Sequence, residues 1–344
     1  MKKLLAVLVL IVAMAAGVAW VLVQRVDQPF QGYTGGDVLV SIPPGSSTHT
    51  IGQSLVDAGV VRDDLTYRLT LWLTDDARRL KAGDYRFDRP MTPRDVLGKI
   101  ARGDVDNVLV TFREGLTIAE MAVIAEEHGI GTSAEFVQAG QNASLVADLD
   151  PQARDLEGYL FPDTYAVPHR TDAAALIALM VERFRAVLTA DLVRAAADEG
   201  FTVRQLTTLA SLVEKETGKA DERPIVAAVY RNRLKQPMLL QCDPTLIYAL
   251  QRVGRYDGNI HRADIPFDSP YNTYRYPGLP PGPIAAPGKA SIDAAAHPAA
   301  VDYLYFVSKN DGSHAFSRTL TEHNRNVQQY QIDYFRAQRK AQGQ

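Results

Sequence analysis

The run Leu209-Ala210-Ser211-Leu212-Val213-Glu214-Lys215-Glu216-Thr217 ends an apolar helical pattern in two carboxylates separated by one cation. At 100° per residue, Val203, Leu206, Leu209, Ala210 and Val213 share one stripe. Lys215 points directly away from it, and Glu214 and Glu216 flank its opposite borders. Two residues apart, the acids diverge by about 160°, so they do not enter one cleft together. A carboxyl at the margin of an apolar face loses solvation, which raises its pKa and keeps its proton near neutral pH, as a general acid requires. A plain solvated charged face has the same appearance, and spacing alone does not separate the two. Lys215 reads as solvated, and Glu222 as either a partner of the acid or an exposed charge.

Other chemistries find little footing. The His residues are scattered, and His314 and His323 stand neither at HExxH spacing nor near a Cys pair, which leaves zinc hydrolysis without ligands. There is no GxSxG elbow, no SxxK followed by KTG, no P-loop and no strand-to-helix GxGxxG. No metal and no cofactor are expected. The lone Cys242 allows no intrachain disulfide and reads as buried or indifferent. A net charge of −3 gives no broad cationic surface, so nucleic acid is not an expected partner.

These residues must be positioned by a chain of 344 residues, 46% hydrophobic and 22% charged, which excludes disorder and rods and suggests about two domains plus accessories. Lys2 and Lys3 precede an uncharged run from Leu4 to Val23, roughly 30 Å long as a helix and so as long as a bilayer core is thick. Trp20 lies near its far end, and Ala13 and Ala15 are the nearest imitation of a cleavage site. The expectation is an uncleaved single-pass anchor, with a cleaved signal as the alternative. Lysines held inside place the rest of the chain outside the cytoplasm. Nucleotide cofactors are scarce there, which favours hydrolysis, lysis or binding.

A polar, Gly-bearing stretch over 25–37 reads as a tether. Val38 to Ile42 closes on Pro43-Pro44-Gly45 and leads to a helix at Thr50 to Val60. Val108 to Phe112 repeats the pattern, leading through Arg113-Glu114-Gly115 to a helix at Thr117 to His128. Between them the sequence predicts a helix over Asp64 to Leu73, a strand over Ala82 to Phe87 and a helix over Thr92 to Ala101, stopped by Gly103. Short helices and loops follow to Asp155. Beyond them lie helices at Thr171 to Leu188, Ala190 to Glu199 and Val203 to Thr217, an aromatic loop-rich stretch from Gly254 to Gly288, a helix at Ser291 to Ala296, a strand at Tyr303 to Ser308 and a closing helix from Thr321.

From Leu156 onward the chain resembles the YceG-like family, the endolytic murein transglycosylases. The resemblance is carried by LEGYLFPDTY (156–165), LASLVEKET (209–217), QCDPTLIY (241–248), YNTY (271–274), GLPPGPIA (278–285), AAAHP (294–298) and YLYFV (303–307), in that order. Strand, helix, helix, strand after the tether looks like a LysM-type glycan-binding module, and the bland alternative is a small α+β spacer. The expected architecture is α+β. It comprises a cytoplasmic tip and anchor (1–24), the tether, a LysM-like region (38–130), a connecting segment (131–155) and a mainly helical lysozyme-like catalytic domain with some strand (156–344).

The resemblance implies a lytic transglycosylase of peptidoglycan glycan strands, held at the inner membrane with its catalytic domain in the periplasm. Proteins of the cell-wall elongation machinery are implied partners. It selects Glu216 as the acid and base, with Glu214 as the fallback. Tyr271, Asn272 and Tyr274 are candidates for binding acetamido groups and stacking on sugars, or else form a packed aromatic loop. Gln241, Asp243 and Thr245 are candidates for the cleft wall, or else a turn that starts the next helix. The rival function is a non-catalytic, membrane-tethered peptidoglycan-binding scaffold, which would not require Glu216.

Overall fold

The computed structural model describes residues 2–341, and these divide into two compact units, 2–109 with 166–170 and 110–165 with 171–341. The first begins with α1 (Lys2–Val26), whose window Val9–Val26 has a mean hydropathy of 2.1 and is long and apolar enough to cross a membrane. After it come β1 (Val38–Ile42), α2 (Thr48–Asp57), α3 (Asp64–Thr74), β2 (Gly83–Phe87) and α4 (Pro93–Arg102). β1 and β2 pair antiparallel with Val40 opposite Tyr85, so alternate residues Val40 and Ile42 face inward while Leu39 stays exposed. Ile51, Leu55, Tyr67, Phe87, Val96 and Ile100 complete this core. Ser47, Asp63 and Thr92 each cap a helix by accepting from a backbone N–H three residues on. Gly103 ends α4 at φ 77°, a conformation glycine adopts without a Cβ penalty.

Further along the chain come β3 (Val108–Thr111), α5 (Ile118–Glu127), α6 (Ser133–Gly140), a 3-10 turn at Ala143–Val146, β4 (Thr164–Val167), α7 (Ala173–Val187), α8 (Ala190–Asp198) and α9 (Val203–Glu216), β3 and β4 lying where the two units divide. Then come α10 (Arg223–Leu234), α11 (Asp243–Gln251), α12 (Lys289–Ala296), β5 (Tyr305–Ser308), β6 (His314–Ser317), α13 (Leu320–Val327), a π-helical stretch Gln328–Asp333 and α14 (Tyr334–Ala341). The strands form three two-stranded sheets, β1–β2, β3–β4 and β5–β6. The fold is therefore mixed helix and strand. Thr117, Thr132, Thr202 and Thr319 each form a reciprocal capping box with the Glu or Gln three residues on, which fixes where α5, α6, α9 and α13 begin.

One expectation needs correcting and one helix is new. The stripe drawn on α9 is too narrow, because every residue from Leu206 to Val213 is buried, Thr207, Thr208 and Ser211 included. Packing by α8, α10, α11 and α12 encloses this helix, and hydroxyls bonded back to carbonyls one turn earlier let its polar positions go inside. α10 escaped the sequence reading, although Pro224 in its first turn and the spacing of Val226, Val229, Tyr230 and Arg233 announce it.

Candidate active site

α9 is the axis of the site. The Ser211 hydroxyl accepts from Ile284 N at 3.1 Å, and one turn later Glu214 Oε2 accepts from Gly288 N at 2.9 Å, so the segment 281–288 is tied along the helix. Glu214 Oε1 also stands 3.6 Å from the Arg223 guanidinium. Lys215 is exposed and donates to the Gly115 carbonyl at 3.0 Å. Glu214 is thereby buried in contacts between protein groups.

Glu216, the last residue of α9, turns elsewhere and is half-buried. Its Oε1 accepts from the Tyr230 hydroxyl at 2.5 Å and from the Cys242 thiol at 3.2 Å. Oε2 has no protein donor among the described residues and is not a sealed, unsatisfied atom. Burial pushes the Glu216 carboxyl above the usual carboxylate range. The Tyr230 and Cys242 bonds oppose that rise, and Asp243 adds to it as a like charge. Burial also raises the Tyr230 hydroxyl and the Cys242 thiol well above their ordinary values, so both remain protonated donors. One oxygen is thus oriented and the other is free to meet a ligand.

Behind the acid, Glu222 is buried rather than exposed. It accepts from His314 Nδ1 at 2.7 Å, from His314 N at 2.9 Å and from the Thr217 hydroxyl at 3.4 Å. Burial alone would raise its pKa, but the His314 bonds outweigh that and hold it below the usual range. Cys242 is buried, as expected, and its thiol donates to the acid. Gln241 precedes it with φ 48°, a left-handed turn costly for a residue with a side chain, and Gln241 N is anchored on Thr273 O at 3.1 Å.

The other expected site residues divide. Gln241 and Asp243 are exposed beside Cys242, and Asp243 accepts from the Tyr274 hydroxyl. Thr245 is fully buried, its hydroxyl spent on the Cys242 carbonyl at 2.7 Å and Thr273 Oγ1 at 2.8 Å. Asn272 is also fully buried. Its amide donates to the Ile265 and Phe267 carbonyls at 2.9 and 2.8 Å, and its oxygen accepts from Tyr274 N at 3.0 Å, so it shapes the loop that presents Tyr274. Tyr271 packs against Tyr248 with the rings inclined at 60° and their centroids 5.0 Å apart, and lines a 910 Å³ cavity with Arg204 at the start of α9, about 18 Å along the helix from Glu216. The structure therefore brings Asp243 and Tyr274 near Glu216, adds Tyr230, Cys242 and His314, leaves Gln241 exposed as the chain neighbour of Cys242, and leaves Tyr271 elsewhere. Tyr230 lay on the unread helix, and His314 had no spacing signal.

A profile of the YceG-like family matches residues 40–329. A protein of Bacillus subtilis (strain 168) named endolytic murein transglycosylase is 30% identical over 319 residues, covering 88% of this chain and 87% of its own length. One of the same name from Streptococcus pneumoniae serotype 2 (strain D39) is 31% identical over 325 residues, 85% of this chain, which spans 58% of that longer relative. The crystal structure of a yceG-like protein from Listeria monocytogenes superposes with a TM-score of 0.57 at 31% identity, covering 84% of this chain and 98% of that one. Ordered motifs, fold and the match along most of the sequence agree, and the chain belongs to the YceG-like family.

Proposed function

We propose that this chain is an endolytic lytic transglycosylase of peptidoglycan, cleaving the MurNAc-GlcNAc bond and leaving 1,6-anhydroMurNAc ends. The observation that carries this reading is Glu216 itself, a carboxyl with raised pKa, one oxygen oriented by Tyr230 and Cys242 and the other free of protein donors. Protonated, it gives its proton to the glycosidic oxygen as the C1–O bond breaks. As carboxylate it then takes the proton of the MurNAc 6-hydroxyl while that oxygen bonds to C1. No water is consumed, so one carboxyl serves as acid and base in turn. Glu214, held by Gly288 and Arg223, is not free to share the work.

Asp243 and Tyr274, near Glu216, and the exposed Gln241 before Cys242 are the side chains that bind the sugars. β1, α2, α3 and β2 form the LysM-like module, which would grip the strand, and the part containing α9 acts as the lysozyme-like catalytic domain. α1 anchors the chain in the inner membrane with Lys2 and Lys3 inside, which puts catalysis in the periplasm near the elongation machinery. The outcome for the wall is the termination or trimming of strands during synthesis. Mass spectrometry of glycan strands digested by the purified full-length protein tests the reaction. Anhydro ends support it; reducing ends would instead make Asp243 the candidate base for a water, and no cleavage at all would favour the scaffold.

A further inference from the structure

The 910 Å³ cavity at the start of α9 is built around arginines. Arg204 is spent on Asp150, at 2.8 Å, and on the Pro281 carbonyl. Arg154 and Arg252, also in the wall, have no carboxylate partner among the described residues. The Arg252 guanidinium lies 5.8 Å over the Tyr248 ring and 5.3 Å over the Tyr271 ring. No protein acceptor among the described residues takes a hydrogen bond from the Arg252 side chain, so its N–H groups are available to a carboxylate, which a guanidinium meets with two parallel hydrogen bonds.

The acids in the wall do not cancel these cations. Asp268 has Arg275 at 3.6 Å, which leaves Asp155 as one formal negative charge against two. Burial pushes the Glu157 carboxyl up to about 8, so it is mostly neutral at pH 7. A sugar hydroxyl can accept from a guanidinium but cannot neutralise it, whereas a short peptide with free carboxylates matches an excess of two cations over one acid.

We propose that this cavity binds a carboxylate-bearing peptide, with Arg154 and Arg252 taking its carboxylates against the Tyr271 wall. Naming it as the stem peptide of the glycan strand rests on the peptidoglycan reading above. The reach is suitable, because five extended residues span about 17 Å, close to the roughly 18 Å of helix between Arg204 and Glu216.

Calorimetric titration of the full-length protein in detergent with a synthetic stem pentapeptide tests this without any cleavage, so an inactive enzyme would sink the function and leave the site standing. The free-acid peptide should bind, its fully amidated counterpart about tenfold or more weaker, and Arg252→Ala should lose about tenfold, with Arg252→Lys failing to restore it. Equal binding of the amidated peptide, or equally strong competition by inorganic phosphate, would overturn the assignment. In digests, Arg154→Ala/Arg252→Ala should raise KM about tenfold or more on stem-bearing strands and leave kcat and the cleavage of amidase-stripped strands unchanged. Equal losses on both substrates, or none on either, would refute it.

Discussion

Glu157 offers a quantitative test of how this fold is held. Its carboxylate oxygens accept from Ile118 N, the first amide of α5, at 3.1 Å and from the Tyr248 hydroxyl at 3.2 Å. Burial nevertheless dominates and pushes its pKa from 4.5 up to about 8. The folded state thus holds a proton that the unfolded chain releases above about pH 4.5. Stability from this group is full below 4.5, falls as pH rises and reaches its floor above about 8. The span corresponds to about 5 kcal/mol at 1.36 kcal/mol per unit. Glu157→Gln keeps an acceptor for Ile118 N and stays neutral, so urea unfolding from pH 4 to 9 should show the steep decline in wild type only. The variant should overtake wild type above neutrality. Parallel curves for the two proteins would refute the buried-carboxyl argument.

Three further outcomes follow from the geometry. Tyr230→Phe removes a bond that opposes the raised pKa of Glu216, so the basic limb of the kcat/KM profile should move to higher pH; an unmoved limb would detach Tyr230 from the acid. Gly158 has φ 81°, and a Cβ there would lie 2.3 Å from the Pro283 Cβ, so Gly158→Ala should cost about 3 kcal/mol by thermal or urea unfolding. Glu222 is held below its ordinary 4.5, so its contribution is present above that value and lost as pH falls through the lowered one. Glu222→Gln should therefore flatten the acid side of the stability curve.

The sequence was most legible where local chemistry decides. Apolar spacing places helices at Thr117 to His128 and Val203 to Thr217, within a residue of the ends of α5 and α9, and the β-branched run Val38–Ile42 is β1. It was least legible where packing from distant segments decides. The burial of Thr207, Thr208 and Ser211 depends on α10, α11 and α12 closing around α9, which no period within the helix encodes. The Cys242 thiol meets Glu216 because Gln241 takes a left-handed turn tied to Thr273, a contact across more than thirty positions. Thr245 and Asn272 looked like ligands for sugar because they are polar and sit in family motifs. Their hydroxyl and amide are instead consumed by the loop they build.

In the proposed reaction Glu216 alone is acid and base. Glu216→Gln retains an acceptor for Tyr230 and Cys242, so it should fold as wild type does by circular dichroism and melting temperature. The decisive measurement is the release of anhydro-ended fragments from glycan strands by wild type, Glu216→Gln and Glu214→Gln under identical conditions. A loss of about a thousandfold or more for Glu216→Gln is expected, with Glu214→Gln still active and less stable through its weakened pair with Arg223. Near-wild-type release by Glu216→Gln, with activity abolished in a folded Glu214→Gln, would contradict the assignment.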